Sequence, residues 1–182
     1  SCTCGIDFSK ITDWASVNLH FRDGDQRYDI NHSWICSQSK DIPRLKIPWR
    51  DWAADGRITI VDEPEIHPQI ITDYIQKMKQ YYSIKMLAID DFRYALLSKY
   101  LETIGFDKKV YKNLKLIRPS DIMRVVPVID HCFVNHWFHW GEAPELRWAT
   151  NNTKLVRHNR KIGQPDDMDF GNYVYGKIEA KS

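Results

Sequence analysis

The chain has 182 residues, of which 43% are hydrophobic and 27% charged. This composition is typical of one globular domain with a core of its own. It excludes a disordered chain, a collagen-like repeat and a coiled coil as the main architecture. No apolar run approaches the roughly 18 residues of a membrane span, and no basic and apolar leader opens the chain. The sequence therefore predicts neither a transmembrane protein nor a signal peptide.

The net charge of +2 is too small to require a nucleic-acid partner. Cations are nevertheless clustered, because residues 108–118 and 154–161 contain no acid, whereas Asp166, Asp167 and Asp169 lie together. Such runs indicate either a nucleic-acid surface or solvated faces. The four cysteines lack the spacing of a zinc site, and a reduced, intracellular protein is the simpler interpretation.

Three antiparallel strands are predicted at the beginning of the chain. A buried strand ends at 5–9, and 15–21 and 28–36 alternate apolar and polar residues. Between the last two, Asp23-Gly24-Asp25 is a hairpin signal. The chain is therefore expected to begin with a β-meander.

Helices and strands alternate after the meander. A short helix is predicted from Pro48, and Ser120 is expected to cap a helix that Pro127 kinks or begins afresh. Further helices are predicted over 68–82, 94–104 and 120–137, and strands over 58–61, 84–89, 110–116, 145–151, 154–159 and 172–180. This order indicates a mixed α/β fold, one sheet with helices on its faces.

Acidic residues follow two of the predicted strands. Asp7 follows the first strand, and Asp90 and Asp91 follow the strand over 84–89. Reactive groups of open α/β sheets gather beyond the carboxyl ends of strands. Carboxylates that converge there suit Mg²⁺ or Mn²⁺, and two such ions promote phosphodiester hydrolysis. The alternative is that these acids are turn residues or helix caps.

Four segments, in order, resemble the nuclease domain of tailed-bacteriophage large terminase subunits. The first-strand motif is similar to 5–15 (GIDFSKITDWA), and the second acid motif is similar to 88–95 (AIDDFRYA). A later Pro-x-Leu-x-Trp-x-x-x-Asn signature resembles 144–152 (PELRWATNN). The Gly-Asn and Lys of the closing hairpin resemble 171–172 and Lys177.

The resemblance implies a ribonuclease H-like mixed sheet flanked by helices, with a C-terminal part rich in β-hairpins. It also implies a two-metal endonuclease that cuts concatemeric double-stranded DNA and uses Mg²⁺ or Mn²⁺, two ions in the complete domain. By position in the motifs, Asp7 matches the first metal-binding acid and Asp91 the second, with Asp90 as the fallback. Asp13 matches a recurrent acid for which a turn role is favoured.

The family's third acid lies in a helix after the closing hairpin. Residues 1–182 are therefore expected to form a single nuclease domain without that last helix, and the fragment's own activity is in question. No Gly-rich phosphate loop is present, so the resemblance places the ATPase domain upstream. The implied partners are double-stranded DNA, the ATPase domain, the small terminase subunit and the portal, with no membrane. The implied location is the host cytoplasm.

Basic side chains are the candidates for binding DNA, because contacts with phosphates dominate the binding of a duplex. The first choice lies on the predicted hairpin and consists of Arg157, His158, Arg160 and Lys161. The second choice comprises Lys108, Lys109, Lys112 and Lys115. The tryptophans are interpreted as packing residues, and His131, His136 and His139 as structural or solvent-facing.

Two other readings of the function stay open. One is a different ribonuclease H-like nuclease, of the resolvase or integrase type, although the stretch 144–152 favours terminase. The other is a non-catalytic module that docks DNA or a portal.

Overall fold

The computed structural model describes residues 1–8, 14–158 and 173–178, apart from the side chain of Arg44. The predicted meander is confirmed: β1 (Cys2–Phe8), β2 (Trp14–Asp23) and β3 (Gln26–Cys36) pair antiparallel. β2 and β3 are joined at Gly24, whose φ of +56° suits a glycine in a tight turn.

Further strands extend this sheet on both sides. They are β4 (Ile58–Val61), β5 (Ile84–Asp90), β6 (Leu114–Ile117) and the short β7 (Phe138–His139). In the described part of the chain the order is β4-β3-β2-β1-β5-β6, and β7 pairs with β3. β5 is parallel to β1 and β6, and β4 and β7 are parallel to β3. The predicted mixed sheet is therefore confirmed, while β7 was not predicted.

Five α-helices flank the sheet within the described residues, and a 3₁₀ turn (Ile42–Arg44) precedes the first. They are α1 (Trp49–Ala54), α2 (Pro68–Met78), α3 (Asp91–Thr103), α4 (Pro119–Val134) and α5 (Pro144–Asn151). A separate antiparallel hairpin consists of β8 (Thr153–Arg157) and β9 (Tyr173–Lys177). The C-terminal hairpin was predicted. No helix among the described residues is long and apolar enough to cross a bilayer.

One face of the sheet forms the main core with α2 and α3. Alternate residues of β1, such as Ile6 and Phe8, point to this face and are buried. Ile71 and Ile75 of α2 and Leu101 of α3 pack against them. A second cluster joins Trp49 of α1 to Ile35 and Ile58; Pro48, from which the short helix was predicted, is the N-cap of α1.

The opposite face of the same strands is polar. Asp7 is paired with Ser16, and Ser16 with Ser33, so these side chains point the same way across three strands. Asn18 and Asn31 are paired with each other on the same face. The polar face is where the candidate site lies.

The strand predicted over 145–151 is wrong, because Pro144–Asn151 is the helix α5. The alternation of polar and apolar residues in Glu145-Leu146-Arg147-Trp148 mimics the period of a strand. Pro144 at the first helical position and Glu145 in the first turn favour the helix, and they decide the outcome.

Several predicted boundaries also differ. Arg118, not Ser120, is the N-cap of α4, since Pro119 opens the helix and the Asp121 carboxylate accepts a hydrogen bond from the Arg118 backbone N–H at 3.0 Å. Pro127 lies inside α4, which continues through it to Val134 rather than Trp137. Elsewhere, α3 begins at Asp91 rather than 94, α2 ends at Met78 rather than 82, and β6 begins at Leu114 rather than 110.

Candidate functional site

Two carboxylates lie side by side where β1 and β5 end. The parallel register pairs Ile6 with Ile89, which makes Asp7 and Asp90 the next neighbours. Ile6 and Ile89 point into the core. Because successive side chains of a strand point to opposite faces, Asp7 and Asp90 point to the polar face. Both acids are exposed there. The pairing expected of acids at the carboxyl ends of strands is thus present.

Asp90, rather than Asp91, is the acid next to Asp7. Its negative charge raises the pKa of Asp7, whereas Asp91 is not among the charges that act on Asp7. Asp90 Oδ1 also accepts a hydrogen bond from the Phe92 backbone N–H at 2.8 Å and thereby caps α3. One carboxylate oxygen of Asp90 is committed to the helix.

Asp7 stands in a mixed electrostatic environment. Crowding by protein atoms raises its pKa most, although the residue keeps an exposed edge along the cleft. The charges of Lys177 and Arg93 lower the pKa, and Asp90 raises it. Two cations from separate elements, β9 and α3, therefore act on Asp7.

A cleft of about 590 Å³ opens beside Asp7. Its floor is the polar face of β2 and β3, and its sides come from α5 and the β8–β9 hairpin. Arg93 and Lys177 line the cleft together with Asp7, and Trp14 and Trp148 add aromatic surface. The volume lies within the range of small-molecule pockets.

A chain of hydrogen bonds crosses the cleft floor. Trp14 Nε1 donates to Ser16 Oγ at 2.9 Å, and the hydroxyls of Ser16 and Ser33 are 2.7 Å apart. Asn31 Nδ2 donates to Ser33 Oγ and to Glu145 Oε1, each at 3.2 Å. This chain ties α5 to the strand next to Asp7.

The donor set at the acid pair is oxygen-rich. Carboxylate oxygens are the ligands that Mg²⁺ and Mn²⁺ prefer. Within residues 1–8, 14–158 and 173–178, no group of three His, Cys, Asp or Glu side chains is placed to hold a metal ion. The described residues therefore offer two adjacent carboxylates to a cation.

Three of the predicted DNA-binding lysines lie at the other end of the parallel strands from the acids. Lys108, Lys109 and Lys112 belong to the connection that enters β6, at the amino ends of β5 and β6. Asp7 and Asp90 lie at the opposite, carboxyl ends. Lys108 Nζ stands over the Tyr94 ring at 4.8 Å, and all three lysines are exposed. Lys115 Nζ lies 3.4 Å from Asp121 Oδ1.

The other predicted DNA contacts lie on or beyond the hairpin. Arg157 ends β8 and is paired with Tyr173, four residues along the strand from the cleft residue Thr153. His158 follows it and is half-buried. Arg160 and Lys161 lie outside the described residues, as do Asp13 and the acids at 166–169. These predictions of DNA contact stay predictions.

Three cleft residues were not predicted as site residues. Arg93 follows the motif acids Asp90 and Asp91, and Lys177 is the lysine of the closing-hairpin motif, so the motifs themselves were the available signal. Glu145 was placed on a strand, and recognising Pro144 as the first residue of a helix would have moved it toward the cleft.

Comparison with solved structures finds the same fold in the crystal structure of the HK97 bacteriophage large terminase. The superposition has a TM-score of 0.76 at 16% sequence identity and covers 96% of this chain and 35% of that one. The chain thus spans about a third of the length of that protein. No family model matches the sequence. A comparison with curated proteins finds no match either.

The fold predicted from the sequence resemblance is therefore confirmed. The chain has the fold of a region of a phage large terminase, with a mixed sheet, flanking helices and a C-terminal hairpin. At this identity the likeness concerns the fold, and activity has to be argued from the site.

Proposed function

We propose that the chain is the metal-dependent endonuclease domain of a viral DNA-packaging terminase large subunit. The observation that carries this proposal is the pair Asp7 and Asp90, set side by side on parallel strands, with Arg93 and Lys177 close to Asp7. Two adjacent acids, one of them in a cleft with two cations, suit the hydrolysis of an anionic phosphodiester. The fold shared with a phage large terminase adds support.

The residues that would hold Mg²⁺ or Mn²⁺ are Asp7 and Asp90, and Asp91 is the alternative that the motif suggests. Bound there, a pair of divalent ions would supply an activated water and neutralise the charge on the leaving oxygen. The third acid that the terminase resemblance implies would complete the set in the parent protein.

The cations of the cleft have a role of their own in this proposal. Arg93 presents a planar guanidinium from the first turn of α3, a geometry that matches phosphate oxygens. Lys177 approaches from the hairpin on the other side. Together they would hold the phosphate of the substrate against Asp7, and they would offset the repulsion between the phosphate and the two acids.

In the parent protein, the substrate would be concatemeric double-stranded DNA in the host cytoplasm. The ATPase domain, the small terminase subunit and the portal would be its partners. Two alternatives give different results in the same assays: a resolvase-type nuclease would prefer branched DNA, and a docking module would bind DNA without cutting it.

Plasmid nicking with Mn²⁺ or Mg²⁺ tests the proposal, on the chain and on a form extended past Ser182. Asp7→Asn and Asp90→Asn should abolish nicking, and Asp51→Asn on α1, an exposed acid away from the cleft, should leave it unchanged. Asp91→Asn decides between the two candidate second acids. If Asp91→Asn abolishes nicking and Asp90→Asn does not, Asp91 is the second acid, as its position in the motif predicts.

A thermal-shift measurement separates metal binding from cleavage. A cation that binds the native site raises the melting temperature with its concentration, by mass action. Asp7→Asn should remove that rise. If the extended, folded protein leaves DNA intact with both metals and shows no metal-dependent rise, the endonuclease proposal fails and the docking module takes its place.

A further inference from the structure

The cleft beside Asp7 has aromatic walls as well as charged ones. Trp14 and Trp148 face each other with ring centroids 5.9 Å apart and planes tilted by 40°. Both rings are half-buried, and both line the cleft. Indole surface left open in a cleft of about 590 Å³ suits a flat, apolar ligand face.

A buried carboxylate of α5, at the side of the cleft, has an unused oxygen. Glu145 is only 4% exposed, and its Oε1 accepts the hydrogen bond from Asn31. Its Oε2 is shielded from solvent and has no hydrogen-bond partner among the described residues. A buried acceptor without a partner is costly, so an occupant that donates a hydrogen bond would stabilise this arrangement.

The serine pair in the floor leaves a donor. Ser16 Oγ accepts from Trp14, Ser33 Oγ accepts from Asn31, and the two hydroxyls share one hydrogen bond. These bonds use only one of the two hydroxyl hydrogens. Counting the described residues alone, the cleft thus offers one free acceptor, on Glu145, and one free donor, on Ser16 or Ser33.

We propose that this cleft binds an unpaired nucleobase that carries an exocyclic amino group, next to the phosphate that the acids act on. This inference rests on the proposed function and deepens it, because it makes a locally unpaired strand the substrate of the site. The amino group donates to Glu145 Oε2, the neighbouring ring nitrogen accepts from the serine pair, and the base stacks on Trp14 or Trp148. Arg93 and Lys177 lie where the 5′-phosphate of the same nucleotide would sit.

A comparison of cytosine with thymine distinguishes recognition of the amino group from stacking that accepts any base. Cytosine has an amino group at position 4, where thymine has a carbonyl oxygen. The carbonyl oxygen of thymine would face the carboxylate of Glu145. Because both groups only accept hydrogen bonds, they would repel each other and thymine would bind more weakly. A stacking surface alone would not distinguish the two bases.

The test is a titration of the chain with dCMP and with dTMP, up to about 10 mM, without divalent metal. Quenching of tryptophan fluorescence and isothermal calorimetry report binding. We expect dCMP to bind about tenfold more tightly than dTMP. Glu145→Gln should reduce the preference to within about twofold, because an amide presents both a donor and an acceptor.

Matched controls show that the effect belongs to the cleft. Glu102→Gln changes an exposed acid of α3 and should keep the tenfold preference. Trp148→Leu should weaken binding of both nucleotides, whereas Trp140→Leu, which lies in the aromatic cluster of Phe133 and Phe138, should not. Thermal melts confirm that each variant is folded.

Equal binding of dCMP and dTMP, or no binding of either to the folded chain, overturns the proposal. A preference for dCMP that survives Glu145→Gln also overturns it. The outcome is distinct from that of the nuclease assays: nicking without mononucleotide binding would retain the endonuclease and reject the base pocket. Mononucleotide binding that persists in Asp7→Asn while nicking is lost supports both.

Discussion

Gly176 determines how closely the two strands of the β8–β9 hairpin pack, and substitution by alanine tests that packing. A Cβ added at Gly176 would lie 3.0 Å from both Cγ1 and Cγ2 of Val156. Carbon atoms in good contact are about 3.5–4.0 Å apart, so both methyl groups would have to move. Since Val156 is branched at Cβ, it has few rotamers into which it can move.

Two opposing effects set the size of the change. Overpacking costs about 1–3 kcal/mol. Replacing a strand glycine by alanine recovers about 0.5–1 kcal/mol of conformational entropy. We therefore expect Gly176→Ala to destabilise the hairpin by roughly 0.5–2 kcal/mol. In a Val156→Ala background the obstruction is absent, and the same substitution should stabilise by about 0.5–1 kcal/mol.

Amide hydrogen exchange at Leu155 and Tyr175, which are paired across the hairpin, measures its local stability. The four proteins of the double-mutant cycle are the parent, Gly176→Ala, Val156→Ala and the double variant. The coupling is expected at about 1–3 kcal/mol. If Gly176→Ala has the same sign and size in both backgrounds, the reasoning from the 3.0 Å contacts is wrong.

Two further predictions concern charge and core. The pKa of Asp7 is higher in the native state than its unfolded value of about 3.9, so the protonated form favours the native state. This contribution is complete below the unfolded pKa and is lost as the pH rises through the native pKa. Asp7→Asn should therefore melt higher than the parent at pH 7, and the difference should shrink toward pH 3.5; a gap that stays constant with pH would contradict this. Leu101 is fully buried, so Leu101→Ala should lower the free energy of unfolding in denaturant by about 2–5 kcal/mol. Leu96 is 38% exposed on the same helix, so Leu96→Ala should lower it by less than about 1.5 kcal/mol. Equal losses would refute the assignment of Leu101 to the core.

The sequence predicted those parts of the fold whose signals are local. Alternation in β2 and β3 and the glycine turn between them define the meander, and the apolar spacing of α2 is that of a helix with one buried face. Segment 144–151 shows the limit of this reasoning, because eight residues carry both a strand-like alternation and a helix start. The short β7 depends on pairing with β3 and has almost no signal of its own.

The candidate site was predictable in part. Acids at the ends of strands indicated Asp7 and the pair at 90–91, but the choice between Asp90 and Asp91 depends on where the strand gives way to the helix. The relation between Glu145, Asn31 and the serine pair is tertiary and leaves no periodic trace. Lys177 faces Asp7 only through the placement of the hairpin.

The parallel pairing of β1 with β5 has a consequence for the order of events during synthesis. Between Asp7 and Asp90 the chain makes three strands and two helices, so the two acids meet only after a long loop has closed. Such non-local pairing is intrinsically slow to form. A nascent chain that has completed the meander presents Asp7 without its neighbour, and the complete acid pair arises only once β5 has left the ribosome and joined the sheet. The two carboxylates are thereby adjacent only in molecules whose sheet is already assembled.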